Sequence, residues 1–405
     1  MPLPGPGISA EEQKQKGTSH MKIVGLTTYA VATPPPHKGG YHWVFLKLTT
    51  DEGIAGYGEA HWVPFQPPSV VQLMRDMGER FVVGSDPFKI ERLWQTLYAS
   101  EFGQHPDLTK VGIITAFEMA CWDIVGKALN QPIYNLLGGQ VWDKLRTYTY
   151  LYPPPEDILW ETNVHGDPKL AAERASHYAS QGFTAIKFDP ITQAGITPRQ
   201  LSLEELDNAE AVTESVRNAV GSKCDILFGT HGQMTTSSAI RLAKRLEKYD
   251  PLWFEEPVPP ENVDEMARVA RSTSIPIATG ERLSTKYEFA ELLGKQAAQI
   301  LQMDLGRVGG ILEAKKIAGM AEAHYAEIAP HLWCGPIAWA AAIQLDTCSP
   351  NFLIQEGIET WDGFYAEIVK DHPRWENGYI IPPTGPGLGV ELNEEVAIKH
   401  AYPGT

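Results

Sequence analysis

Beyond the Gly138-Gly139 pair, the chain repeats one rhythm: a short apolar run, then a longer amphipathic stretch. The apolar runs are Arg146–Leu151, Ala185–Asp189, Asp225–Gly229, Leu252–Glu256, Ile275–Gly280, Gln299–Asp304, Glu327–His331 and Phe352–Glu356. Between them lie helical stripes such as Val212, Val216 and Val220, or Ile240, Ala243 and Leu246, or Phe289, Leu292 and Leu293. Strands alternating with helices predict a parallel sheet, and eight of them predict a (β/α)8 barrel. A doubly wound open sheet would show a G-x-G-x-x-G turn after an early strand, and none is present.

The segment before Gly138 has another rhythm. Lys22–Ala32 and Tyr41–Thr50 read as strands, the second running into a turn at Asp51-Glu52-Gly53, and Gly56-Tyr57-Gly58 ends a third. Helical spacing follows over Val70–Phe81 and Ile113–Leu129. Strands followed by helices predict an α+β capping domain over 21–140, with the barrel over 141–378. The Pro- and Gly-rich tail, 379–405, is expected to return to the cap. The first 20 residues are polar and rich in Pro and Gly, with no apolar core of a signal peptide, and read as a flexible extension.

Composition narrows the function. The net charge of −16 is spread along the chain, which argues against nucleic acid or an anionic membrane as partner. No apolar run is long enough to span a bilayer. The four cysteines, at 121, 224, 334 and 348, have no CxxC spacing, and free thiols fit a reducing cytoplasm. An anionic substrate must therefore be gripped locally, by a metal or an arginine.

In such a barrel, side chains at the C-terminal strand ends face the active site. Those ends are Lys187-Phe188-Asp189, Gly229-Thr230-His231, Glu255-Glu256-Pro257, Gly280-Glu281-Arg282, Asp304, His331 and Glu356. Ionisable groups placed there cost desolvation unless paired or metal-bound. Glutamates on neighbouring strands make a hard-oxygen site suited to Mg2+. A metal there would stabilise the dianion formed when a proton leaves the carbon beside a carboxylate. His331 oriented by Asp304 makes a base, and His231 is placed to act as an acid. Glu356 is placed to hydrogen-bond the substrate carboxylate.

Trp253-Phe254-Glu255-Glu256-Pro257, Ala278-Thr279-Gly280-Glu281-Arg282, Leu301-Gln302-Met303-Asp304, Ala329-Pro330-His331 and Gln355-Glu356 together resemble the enolase superfamily. Within it they resemble the mandelate racemase subgroup, and most closely the galactonate and mannonate dehydratase kind. The likeness runs from about Met21 to Leu392. It implies Mg2+ or another divalent cation on Glu255 and Glu281, a base at His331 with Asp304, and an acid at His231. It also implies a sugar-acid substrate and a homo-oligomer. The cap lends a lid in such proteins, which points to His37 in the Pro34–Gly40 loop and to Trp62 and Phe65 in a second lid segment. Arg282 is expected against the substrate, and Trp333, beside His331, is either core or the wall of the substrate pocket. His42, His61 and His105 read as surface or core histidines, and Glu256 as a structural ion-pair member.

Two positions depart from the pattern. The family's first metal ligand, an aspartate two residues before the acid histidine, is Gly229 here. Asp189 could replace it, His231 or a water could ligate instead, or metal binding could be lost; the oxygen preference of Mg2+ favours Asp189. Racemases of the subgroup carry Lys-x-Lys on the second strand, but here the second lysine is Asp189. That favours dehydration with a single histidine base, with Lys187 neutralising negative charge. A cycloisomerase or epimerase, and a catalytically silent sugar-acid binding protein, are the rival expectations.

Overall fold

A computed structural model describes residues 21–61, 64–192 and 197–405. The expected extension over 1–20 and the lid residue Trp62 lie outside the described residues.

The cap begins with β1 (Ile23–Ala32), β2 (His42–Thr50) and β3 (Ala55–Ala60), an antiparallel meander in that order. Gly53 makes the β2–β3 turn at φ +79°, with its N–H donating to the Thr50 carbonyl at 3.0 Å. Behind the meander lies the helix Leu108–Ala128, its first turn capped by Asp107, which accepts from the Lys110 N–H at 2.6 Å. This helix is apolar almost all round because it is covered on several sides.

The barrel strands are β4 (Leu145–Tyr150), β5 (Ala185–Phe188), β6 (Asp225–Phe228), β7 (Trp253–Glu255), β8 (Ile277–Thr279), β9 (Ile300–Leu301), β10 (Glu327–Ile328) and β11 (Gln355–Gly357). They pair in parallel in sequence order from β4 to β10, and β11 pairs with β4. A parallel bridge between Ile328 and Phe352 closes the ring. The predicted barrel is thus the observed one. The ladders are shorter than the apolar runs: Asp304 and His331 lie past the ends of β9 and β10, where an isolated backbone bridge pairs them.

Seven long helices follow the first seven barrel strands, from Pro168–Ser180 to Pro336–Thr347. Among the described residues, none longer than six residues follows β11. Instead Tyr379–Ile381 pairs antiparallel with β4, and the chain then crosses to the cap. There Glu394 accepts from Tyr57 Oη at 2.7 Å and Lys47 Nζ at 2.6 Å.

One buried layer explains the mouth of the barrel. Tyr148, Ala185, Leu227, Trp253, Ala278, Ile300, Ala329 and Ile354 form a separate apolar cluster, one residue from each strand or its immediate end. Large and small side chains share this layer and fill it. Because a strand's side chains repeat every second residue, the next inward set is Tyr150, Lys187, Gly229, Glu255, Gly280, Gln302, His331 and Glu356. The apolar layer is the floor, and this set lies directly above it.

Two buried cap carboxylates bind the barrel, and a third binds the C-terminal segment. Glu59 accepts from the N–H groups of Gly335 (2.5 Å) and Ala338 (2.9 Å), at the N-terminus of the helix Pro336–Thr347. Glu118 accepts from Ile311 (2.7 Å) and Leu312 (2.9 Å), at the N-terminus of the helix Ile311–Ala323. Asp123 accepts from Leu388 at 2.9 Å. Orphan N–H groups and the helix dipole favour a carboxylate at each helix start.

Candidate active site

At the centre, Lys187 is fully buried, with Nζ 2.6 Å from Glu255 Oε1 and 3.3 Å from Glu356 Oε1. Burial acts to lower its pKa, but the carboxylates of Glu255, Glu356 and Glu281 outweigh that and raise it. Lys187 is therefore a fixed cation. Glu255 Oε2 accepts from Gln302 Nε2 at 2.7 Å and Trp253 Nε1 at 3.1 Å. Glu356 accepts through its other oxygen from the Leu332 N–H at 2.7 Å, so it braces the turn beside His331.

His331 Nδ1 lies 2.7 Å from Asp304 Oδ2, and its Nε2 lies 3.4 Å from Glu281 Oε2. Burial would lower its pKa, but Glu281 and the hydrogen bond to Asp304 prevail and push it up to about 9. Burial acts to raise Asp304, but His61 and His331 hold it well below the usual carboxylate range. It is the ionised acceptor, and the histidine nitrogens donate.

On another side, His231 Nδ1 lies 3.5 Å from Asp189 Oδ2. Its pKa is raised: burial opposes this, and Asp189 and Glu281 outweigh it. Asp189 Oδ1 accepts a short hydrogen bond from the Tyr150 hydroxyl, and the Asp189 N–H donates to His165 Nδ1 at 3.2 Å. An ideal Cβ on Gly229 would lie 2.6 Å from Asp189 Oδ1 and 2.7 Å from Tyr150 Oη. The Asp189 carboxylate thus occupies the room that a side chain at 229 would need.

Arg282 pairs with the fully buried Glu256, with Nε 2.9 Å and Nη2 2.7 Å from its carboxylate. Trp333 stands with Tyr152 (centroids 6.3 Å apart) and Trp160 (5.8 Å) as an aromatic wall. His37 is half-buried on the cap loop, 3.1 Å from Thr33 Oγ1 and 4.6 Å from the Tyr41 ring, and Phe65 is exposed. The same loop reaches the barrel through a Lys38–Glu359 ion pair.

The charges suit a divalent cation. Asp189, Glu255, Glu256, Glu281, Asp304 and Glu356 are all buried, against three fixed cations, Lys187, Arg282 and Arg307, and two histidines of raised pKa, His231 and His331. Such an excess of carboxylate in a low-dielectric site is offset by a bound positive charge. A cation on Glu281 would also cancel the largest upward influence on His331, leaving its imidazole free to accept a proton. Among the described residues, the one trio of candidate ligand atoms within 4.8 Å of one another belongs to His61, Asp304 and His331. Those atoms are joined by hydrogen bonds of 2.6 and 2.7 Å, both to Asp304 Oδ2. The oxygens of Asp189, Glu255 and Glu281 do not all come within 4.8 Å of one another, so a cation held by these three would have to draw them together.

Sequence reasoning missed Tyr150, His165 and the partnership of His61 with Asp304. Tyr150 ends the first barrel strand, and the strand-end rule applied there would have found it. His61 and His165 sit in loops with no local signal.

Comparison with known proteins agrees with this fold. Residues 29–138 match the mandelate racemase / muconate lactonizing enzyme N-terminal domain, and residues 169–396 match the enolase C-terminal domain-like family. The chain is 38% identical to a D-galactonate dehydratase of Ralstonia nicotianae over 391 residues, covering 94% of each chain. It is 35% identical to a D-xylonate dehydratase of Haloferax volcanii over 372 residues, covering 90% of this chain and 87% of the relative. A crystal structure of a mandelate racemase/muconate lactonizing enzyme from Jannaschia sp. CCS1 is 44% identical, with a TM-score of 0.90 over 95% of this chain and 98% of that one. A capping meander, a closed barrel and a ring of acids at its mouth, matched over nearly the whole length, make this chain a member of the mandelate racemase/muconate lactonizing enzyme group of the enolase superfamily.

Proposed function

We propose that this protein is a metal-dependent hydro-lyase that converts an aldonate or related hydroxy acid to a 2-keto-3-deoxy acid. The observation that carries this reading is the His331–Asp304 pair, buried at the barrel mouth with Nε2 facing Glu281. The relatives named for D-galactonate and D-xylonate support the substrate class.

Glu255, Glu281 and Asp189 would hold the cation. When bound, it supplies positive charge at the substrate carboxylate, which makes the adjacent C–H acidic enough for a side chain to ionise. His331, with Nδ1 donating to Asp304, takes the α-proton on Nε2. The electrons move onto the carboxylate as an enediolate, and Lys187, fixed among Glu255 and Glu356, adds positive charge nearby. His231, with Nδ1 3.5 Å from Asp189 Oδ2, gives a proton to the β-hydroxyl, which leaves as water. The resulting enol tautomerises to the 2-keto-3-deoxy acid. Lys187 is too firmly ion-paired to serve as a second base, which disfavours two-base racemisation. The aromatic wall of Trp333, Tyr152 and Trp160, with the His37 loop, encloses the rest of the substrate.

The same reading places a homo-oligomer in the cytoplasm, where the four free, buried thiols stay reduced. It is tested by incubating the protein and Mg2+ with a panel of aldonates and assaying 2-keto acid with semicarbazide. Product from an aldonate supports the proposal; no product from any of them, with the metal shown bound, contradicts it.

A further inference from the structure

We infer that His61, a cap-domain residue, is a positioning residue for the His331 base, acting through Asp304. The inference rests on the reading of His331 as base.

His61 lies just past the end of β3, and its Nδ1 is 2.6 Å from the same Asp304 Oδ2 that receives His331 Nδ1 at 2.7 Å. The two imidazoles are nearly parallel, 19° apart, with centroids 6.0 Å apart. Asp304 Oδ1 accepts from the Gly306 N–H at 2.7 Å. Three donors from three segments therefore fix one carboxylate that is entirely buried. Burial lowers the pKa of His61, with the adjacent Asp304 opposing it.

The cap backbone takes part as well. The His61 N–H donates to the Gly306 carbonyl at 2.9 Å, and a Cβ on Gly306 would meet His61 Cβ at 2.4 Å. Two residues earlier, Glu59 holds Gly335 and Ala338 on the segment after His331. The end of β3 thus grips the turns carrying both members of the base pair.

Two consequences follow from the second donor. It holds the Asp304 carboxylate in the plane that sets the His331 ring and its tautomer. It also makes Asp304 a weaker proton acceptor, so a proton taken by His331 stays on the imidazole.

The test compares His61→Leu, which keeps bulk and loses the donor, with His61→Asn, whose amide N–H falls near the place of Nδ1. Thermal melts establish that both variants fold. His61→Leu is expected to lower kcat about 10- to 100-fold with little change in KM, and His61→Asn to recover most of that loss. Crystal structures of both variants supply a readout that needs no substrate: the His331–Asp304 contact lengthened or rotated in His61→Leu and kept in His61→Asn. Wild-type kcat in His61→Leu, or an unchanged His331–Asp304 contact there, overturns the inference. So does His61→Asn being as slow as His61→Leu, because the histidine would then matter only as filling. Should the wild-type protein turn over no sugar acid, the proposed reaction fails, and the two crystal structures still decide the role of His61.

Discussion

Gly229 and Asp189 share one space: a Cβ on Gly229 would lie 2.6 Å from Asp189 Oδ1. Any side chain at 229 must displace the Asp189 carboxylate or the Tyr150 hydroxyl bonded to it. Gly229→Asp is therefore expected to weaken Mg2+ binding rather than improve it, although it installs the carboxylate that the family pattern carries. Asp189→Ala is expected to lose about 10- to 100-fold in affinity. Titration calorimetry with Mg2+ checks both, and tighter binding by Gly229→Asp would show that Asp189 is not the third ligand.

The aromatic wall predicts a different kinetic signature. Trp333 packs beside Tyr152 and Trp160 and has no hydrogen bond to the base or the acids. Trp333→Ala is expected to raise KM on the order of 10-fold while changing kcat less, the pattern of lost uniform binding. Steady-state kinetics on the identified substrate separate the two effects; a loss confined to kcat would place Trp333 in the chemistry instead.

Docking of the cap has its own energetic test. Glu118 is buried and receives the first N–H groups of the helix Ile311–Ala323, together with Trp122 Nε1 at 2.8 Å. Glu118→Ala leaves those donors without a partner and should cost about 2–3 kcal/mol in a urea melt. An unchanged midpoint would mean that the cap is held without it.

Asp346 predicts a pH dependence. It is fully buried on the helix Pro336–Thr347, and neither carboxylate oxygen has a hydrogen-bond partner among the described residues. Burial raises its pKa well above the ordinary value. The folded protein then keeps a proton that the unfolded chain releases above about pH 4. Stability conferred by the protonated form is complete below that pH and is lost as pH rises toward the folded pKa, at up to about 1.4 kcal/mol per unit. Asp346→Asn should match the wild type near pH 4 and exceed it in melting temperature at pH 8. A stability gap independent of pH would refute the assignment.

What the sequence disclosed and what it hid follow from distance along the chain. Lys187, Glu255, His331 and Glu356 were legible because each follows an apolar strand, and the two-residue period of a strand fixes which side faces inward. The barrel was legible for the same reason. His61 was not, because its partner Asp304 is 243 residues away and only the docked cap brings them together. The gap at Gly229 was visible, but the hydroxyl of Tyr150 that holds Asp189 in that space was not. Glu256, expected as an ion-pair member, holds the guanidinium of Arg282, a partner that the sequence does not name.

The most direct test of the central claim is proton NMR of an aldonate panel in D2O, with the protein and Mg2+, comparing wild type with His331→Asn. The account predicts new 3-deoxy signals at C3 from at least one acid with the wild type, and neither these nor α-deuterium uptake with His331→Asn. Near-normal dehydration by His331→Asn, or a wild type silent toward the whole panel with Mg2+ bound, would contradict it.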